Sequence, residues 1–79
     1  MKVVIIEDEP FIALDLVADL AALRPQWLTV KTLGSVRQAV DWLRMHGGID
    51  LIFSDIQLGD GTCFDIFAQV PPPAPVIFC

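Results

Sequence analysis

An α/β fold, with a mainly parallel sheet and helices on both of its faces, follows from three features of the sequence. Continuous apolar runs recur along the chain, helical periodicities lie between them, and the two kinds of segment alternate without interruption. The runs are Val3-Val4-Ile5-Ile6, Leu51-Ile52-Phe53 and Val76-Ile77-Phe78. None alternates polar with apolar, so each suits a strand buried on both faces. The order reads β-α-β-α-β-α-β, and parallel strands joined this way need right-handed crossovers.

The first run predicts a strand that Glu7, Asp8 and Glu9 cut short. Pro10 suits the first position of a helix and Pro25 a stop. Between them Ile12, Leu16, Val17, Leu20 and Leu23 make one apolar face. The stretch Trp27-Leu28-Thr29-Val30-Lys31-Thr32-Leu33 alternates, which predicts an edge or half-exposed strand. Ser35 and Gln38 form a capping-box pattern, and Val36, Ala39, Val40 and Leu43 face inward behind it. Gly47-Gly48 end that second helix, and His46 stands at its end, where a cation suits the dipole.

After the strand at 51–53 comes a turn, Gln57-Leu58-Gly59-Asp60-Gly61. A short helix follows from Thr62 to Val70, with Cys63, Ile66, Phe67 and Val70 inward and Pro71-Pro72-Pro73 as its stop. Asp60 is expected to cap this third helix. Asp15, Asp19, Asp41 and Asp65 read as solvated helix-face residues, and Trp27 and Trp42 as packing residues. The final run, with Cys79 directly after it, has no helix following to cover the sheet. The expectation is an N-terminal piece of a domain, or cover supplied by a partner chain.

Composition removes several classes of function. Seventy-nine residues hold one domain at most. At 54% hydrophobic and a mean hydropathy of +0.62, the chain is too apolar for a disordered tail. Two cysteines, Cys63 and Cys79, cannot staple a disulfide mini-protein. No apolar run approaches the ~20 residues of a membrane span, and no secretory signal is visible, so the expected address is the cytoplasm. Ten acidic against five basic residues give a net charge of −5, which disfavours nucleic-acid binding by this segment. No Gly-rich phosphate loop and no zinc spacing occurs.

The acids that carry chemistry sit at strand ends. Glu7 and Asp8 follow the first run directly, and Asp55 follows Ser54 after the third strand. Ligands of parallel sheets bind outside the carboxyl ends of the strands. If the first and third strands are neighbours, these three acids share one rim. Two carboxylates ~4 Å apart repel by ~4 kcal/mol at an effective dielectric of 20, so protonation or a cation must compensate. Hard carboxylate oxygens suit Mg²⁺. A carboxylate beside such an ion can act as a nucleophile toward phosphorus and form an acyl phosphate, and Asp55 is placed for that step. The other reading of such acids is that they are solvated loop residues or favourable charges at a helix N-terminus.

On the segments Val3-Val4-Ile5-Ile6-Glu7-Asp8-Glu9-Pro10 and Leu51-Ile52-Phe53-Ser54-Asp55-Ile56-Gln57-Leu58-Gly59-Asp60-Gly61, the chain resembles the receiver domain of two-component response regulators. The resemblance covers essentially all 79 residues and corresponds to roughly the first two-thirds of that domain. It implies a flavodoxin-like (CheY-like) fold with strand order 2-1-3-4, ending before the fifth strand. It implies Asp55 as phosphoacceptor, Asp8 as a direct Mg²⁺ ligand, Glu7 assisting through water, and the backbone carbonyl of Gln57 completing the shell. The implied phosphodonor is a phosphohistidine on a sensor histidine kinase, and the implied protein is a regulatory phosphoacceptor, not an enzyme acting on other substrates. The segment from Asp55 to Gly61 resembles regulators with a LytTR-type DNA-binding output domain, and also stand-alone receivers. The family's phosphoryl-binding Ser or Thr and its Lys belong after the fourth and fifth strands, beyond Cys79.

Two other readings compete. Phosphohydrolases of the haloacid-dehalogenase type also use a strand-end Asp with Mg²⁺, but they place a second Asp where this chain has Gln57. A receiver piece with an open last strand could instead serve only as an interaction module, pairing with a second copy by edge addition or strand swapping.

Overall fold

The computed structural model describes residues 1–78; Cys79, which follows the last expected strand directly, lies outside the described residues. The elements run β1 (Lys2–Ile6), α1 (Pro10–Leu23), β2 (Leu28–Leu33), α2 (Val36–Met45), β3 (Leu51–Ser54), β4 (Gln57–Leu58), β5 (Gly61–Thr62), α3 (Cys63–Gln69) and β6 (Val76–Phe78). Four strands form a parallel sheet in the order β2-β1-β3-β6. The expected order 2-1-3-4 is therefore present, with β6 in the place of the fourth strand. The turn at 57–61 departs from expectation, because its flanks pair as a small antiparallel hairpin, Gln57 with Thr62 and Leu58 with Gly61.

Side chains of β1 alternate between two cores, as the period of two in a strand requires. Val4 and Ile6 join Leu33 and Ile52 beneath α2 and α3, packed by Val36, Ala39, Val40, Leu43, Leu58, Ile66 and Val70. Val3 and Ile5 turn to the other face with Leu51, covered by Leu16, Val17 and Leu20 of α1 and by Trp27. All four apolar residues of β1 are fully buried. Burying one such side chain stabilises by ~1.5–3 kcal/mol, so β1 anchors both layers.

The faces differ in quality of cover. On α2 the inward residues are the four expected from the sequence. On α1 only Ala13 is fully buried, and Ile12 and Leu23, expected inward, are exposed. The inward arc runs through Ala13, Leu16, Val17 and Leu20, and Ile12 and Leu23 stand about a quarter turn off its centre. A second correction concerns β6. Its run was read as buried on both faces, yet Val76 is half-buried and Ile77 and Phe78 are exposed. It is the outer strand of the described sheet, so apolar content alone did not bury it. Ser35 accepts from the Gln38 amide as the capping box predicts, but Gln38 Oε1 accepts from Gly34 N, one residue before the expected partner. The helix ends at Met45, before Gly47. No helix among the described residues is long and apolar enough to cross a membrane.

Candidate acidic site at the carboxyl ends of the strands

Two backbone hydrogen bonds place the site. Asp55 N donates to Ile6 O at 2.9 Å, and Glu7 N donates to Leu33 O at 2.9 Å. Each extends a parallel ladder one residue past its strand. The β1–β3 register, which sets Ile6 beside Ser54, then delivers Glu7, Asp8 and Asp55 to one rim. One carboxylate oxygen from each lies within 4.8 Å of the other two. Glu7 and Asp55 are half-buried and Asp8 is exposed. A cavity of about 370 Å³ opens beside Glu7 and Asp8, walled by Pro10, Thr32, Gly34 and Gln38.

The electrostatics are unfavourable as they stand. Burial pushes the Glu7 carboxyl above the usual range, and the charges of Asp55 and Asp8 push it the same way. The Glu9 amide, donating to Glu7 Oε1 at 3.2 Å, works against that rise. Among the described residues no donor reaches the carboxylates of Asp8 or Asp55. A divalent cation would relieve all three acids at once, and an all-oxygen donor set with an open side fits Mg²⁺. Gln57, two residues past Asp55, is the exposed residue of β4, whose other residue, Leu58, is buried in the core.

Other acids are committed to structure. Asp60 does not cap α3, as the sequence suggested. Its carboxylate reaches across to α2, accepting from Val36 N at 2.8 Å and Arg37 N at 3.1 Å. Those amides hold the Asp60 carboxyl below the usual range. Thr62 caps α3, and Asp65, expected to be merely solvated, closes that box by accepting from Thr62 N at 2.8 Å. Asp41 pairs with Arg37 at 3.0 Å on the α2 surface. His46 stacks on Trp42 with ring centroids 4.2 Å apart, and its Nδ1 lies 2.8 Å from Trp42 O, away from the acidic rim. Cys63 is buried, which raises its thiol pKa and fits the expected core role.

The role of Asp60 was missing from the sequence reading, although a signal for it exists. The first amides of a helix need acceptors from outside. Ser35 Oγ serves Gln38 N, and Ala39 N begins the intrahelical ladder at Ser35 O. Val36 N and Arg37 N are then left over for water or for an acceptor from another segment, and here the Asp60 carboxylate takes both.

Neither a protein-family model nor a curated protein matches the chain. Solved structures do. The anti-anti-sigma factor PhyR from Bartonella quintana is 32% identical, with a TM-score of 0.77 over 98% of this chain and 31% of that one. The response regulator PhyR from Brucella abortus is 29% identical, with a TM-score of 0.80 over 98% of this chain and 32% of that one. A mutant MaeR response regulator bound to sulfate is 21% identical, with a TM-score of 0.82 over 99% of this chain and 65% of that one. The chain thus spans about a third of the length of either PhyR structure. With strand order, helix placement and these neighbours in agreement, the chain has the receiver fold of response regulators.

Proposed function

We propose that this chain is the receiver part of a two-component response regulator, taking a phosphoryl group on Asp55 beside Mg²⁺. The observation that carries the reading is the convergence of Glu7, Asp8 and Asp55 within 4.8 Å at the carboxyl ends of β1 and β3. Asp8 and Asp55 would hold the ion directly, Glu7 through water, and the Gln57 carbonyl would complete the protein's share. When bound, Mg²⁺ supplies charge neutralisation between the acids and an incoming phosphoryl group.

The chain's own residues do the rest. A carboxylate oxygen of Asp55 attacks the donor phosphorus and forms a P–O bond. The bond from phosphorus to the donor imidazole nitrogen breaks, and that nitrogen keeps the electron pair. The product is an acyl phosphate on Asp55. Ser54, fully buried, donates its hydroxyl to Asp55 O at 2.9 Å and fixes the backbone from which the nucleophile projects. The donor on this reading is a sensor histidine kinase, and the output domain lies in the remainder of a longer protein. The PhyR neighbour's description as an anti-anti-sigma factor makes regulated protein–protein contact a fitting output. A regulatory phosphoacceptor in the cytoplasm needs no other catalytic activity.

The test is incubation with a small acyl-phosphate donor, with and without Mg²⁺, read by intact mass. One added phosphoryl group that requires Mg²⁺ and disappears in Asp55→Asn is expected. No label on the chain or on the longer protein that carries it would remove the reading.

One observation favours a second reading, an interaction module that pairs copies. Phe78 of β6 and Phe64 of α3 are 48% and 59% exposed, with ring centroids 5.8 Å apart beside the exposed Ile77. Sedimentation decides: a concentration-dependent dimer that Phe78→Ser dissolves supports pairing, and a monomer at all concentrations excludes it.

A further inference from the structure

The hairpin turn of residues 59–61 lies between the acidic rim and the N-terminus of α2, and each of its three residues touches one side or the other. Gly59 backs onto Asp8: a Cβ built there would stand 3.8 Å from Asp8 Oδ2. Asp60 takes the two leftover amides of α2, Val36 N and Arg37 N. Gly61, at φ +151°, packs so closely that a Cβ would meet Val36 Cγ2 at 3.2 Å and Asp65 Oδ2 at 2.6 Å. No larger residue keeps that backbone in place. A second strap joins the same regions, since Glu7 N bonds Leu33 O and the next residue, Gly34, donates to Gln38 Oε1 of α2.

We infer that Asp60 is a positioning residue, which holds the Gln57-bearing hairpin against the acidic rim and couples cation binding there to the first turn of α2. The inference rests on the proposed reading of the rim as a Mg²⁺ site. A carboxylate in contact with two adjacent amides fixes both the position and the direction of the turn that carries it. Movement of Asp8 on cation binding changes the space that Gly59 faces, and the turn is placed to adjust with it. Asp60 follows through the chain, and the amides of Val36 and Arg37 report the movement. The exposed face of α2, with Arg37 and Asp41, is then a surface whose position depends on the site.

The experiment is a MgCl₂ titration of the isotope-labelled 79-residue chain, followed by backbone amide resonances. In the native chain the amides of Val36 and Arg37 should shift with the same midpoint as those of Asp8 and Asp55. In Asp60→Ala those two responses should vanish and Mg²⁺ should bind more weakly, by up to the about tenfold that loss of a direct partner of a metal ligand costs at the low end. Asp60→Asn, which keeps one acceptor oxygen, should retain most of the affinity. The inference is overturned if the native chain binds Mg²⁺ while Val36 and Arg37 stay still, or if Asp60→Ala binds as tightly as the native chain. In either case the Mg²⁺ site itself stands. Absence of any Mg²⁺ response at Asp8 and Asp55 removes the site reading and the coupling together. The native titration needs no variant, so a failure of Asp60→Ala to fold leaves a decision in hand.

Discussion

Strand β3 is flanked by two aspartates with opposite surroundings. Asp50, just before it, is tied to Lys2 twice: its carboxylate accepts from Lys2 N at 2.7 Å, and its own amide donates to Lys2 O at 2.8 Å. Asp55, just after it, shares only the backbone half of that pattern. Its amide donates to Ile6 O, while its carboxylate faces those of Glu7 and Asp8. One rim of the sheet uses its acid to close a ladder. The other gathers three acids that repel one another and satisfies almost none of them. Repulsion of that kind is retained where a ligand relieves it, which is why the carboxyl-end rim, and not simply the count of ten acidic residues, points to function.

This contrast can be broken in several ways. The largest effect is all or none: Asp55→Asn should abolish Mg²⁺-dependent phosphoryl uptake, and Asp50→Asn should leave it intact, both read by mass. Equal loss in the two variants would erase the distinction between the rims. Next, Asp8→Asn should weaken Mg²⁺ binding by at least about tenfold in calorimetric titration, since even an outer partner of a metal site is worth that much. Unchanged affinity would move the site elsewhere.

Asp50→Ala should cost about 1 kcal/mol of stability by denaturant unfolding, the usual net worth of a hydrogen bond, without affecting Mg²⁺. A drop in metal affinity there would mean that the two rims are not independent. A smaller effect of opposite sign is expected for Glu7→Gln in the absence of metal. The Glu7 carboxyl is raised above its ordinary value of 4.5, so its contribution to folding is present below that value and lost as pH rises through the raised one. At neutral pH the native chain therefore carries a penalty that Glu7→Gln removes, up to about 1 kcal/mol for carboxylates this far apart in water. The difference should fade below pH 4.5. Glu7→Gln proving destabilising at neutral pH would contradict the repulsion.

Much of this was legible in the sequence because its signals are local and periodic. The uninterrupted run Val3-Val4-Ile5-Ile6 demands burial on both sides, and both cores meet on it. Val36, Ala39, Val40 and Leu43 recur at helical spacing and all four are buried. Glu7, Asp8 and Asp55 were visible as acids directly after strands. Local pattern failed where a neighbour decides the outcome. Ile77 and Phe78 look like core in composition, but as part of the outer strand they are exposed. Ile12 and Leu23 fit a helical stripe, yet the sheet beneath α1 is met by the arc through Ala13 and Leu16 instead.

The sequence by itself determined the alternation of elements, the two-sided burial of β1 and the presence of carboxylates at strand ends, because each depends on side chains close together in the chain. That β1 lies beside β3, which turns two separate acidic motifs into one cluster, follows from no local pattern; the family resemblance implied it and the tertiary structure shows it. The tertiary structure alone assigned Asp60 to α2 and not to α3. A carboxylate goes to the nearest amides that lack an acceptor, and nearness across twenty-four residues is a property of the folded chain.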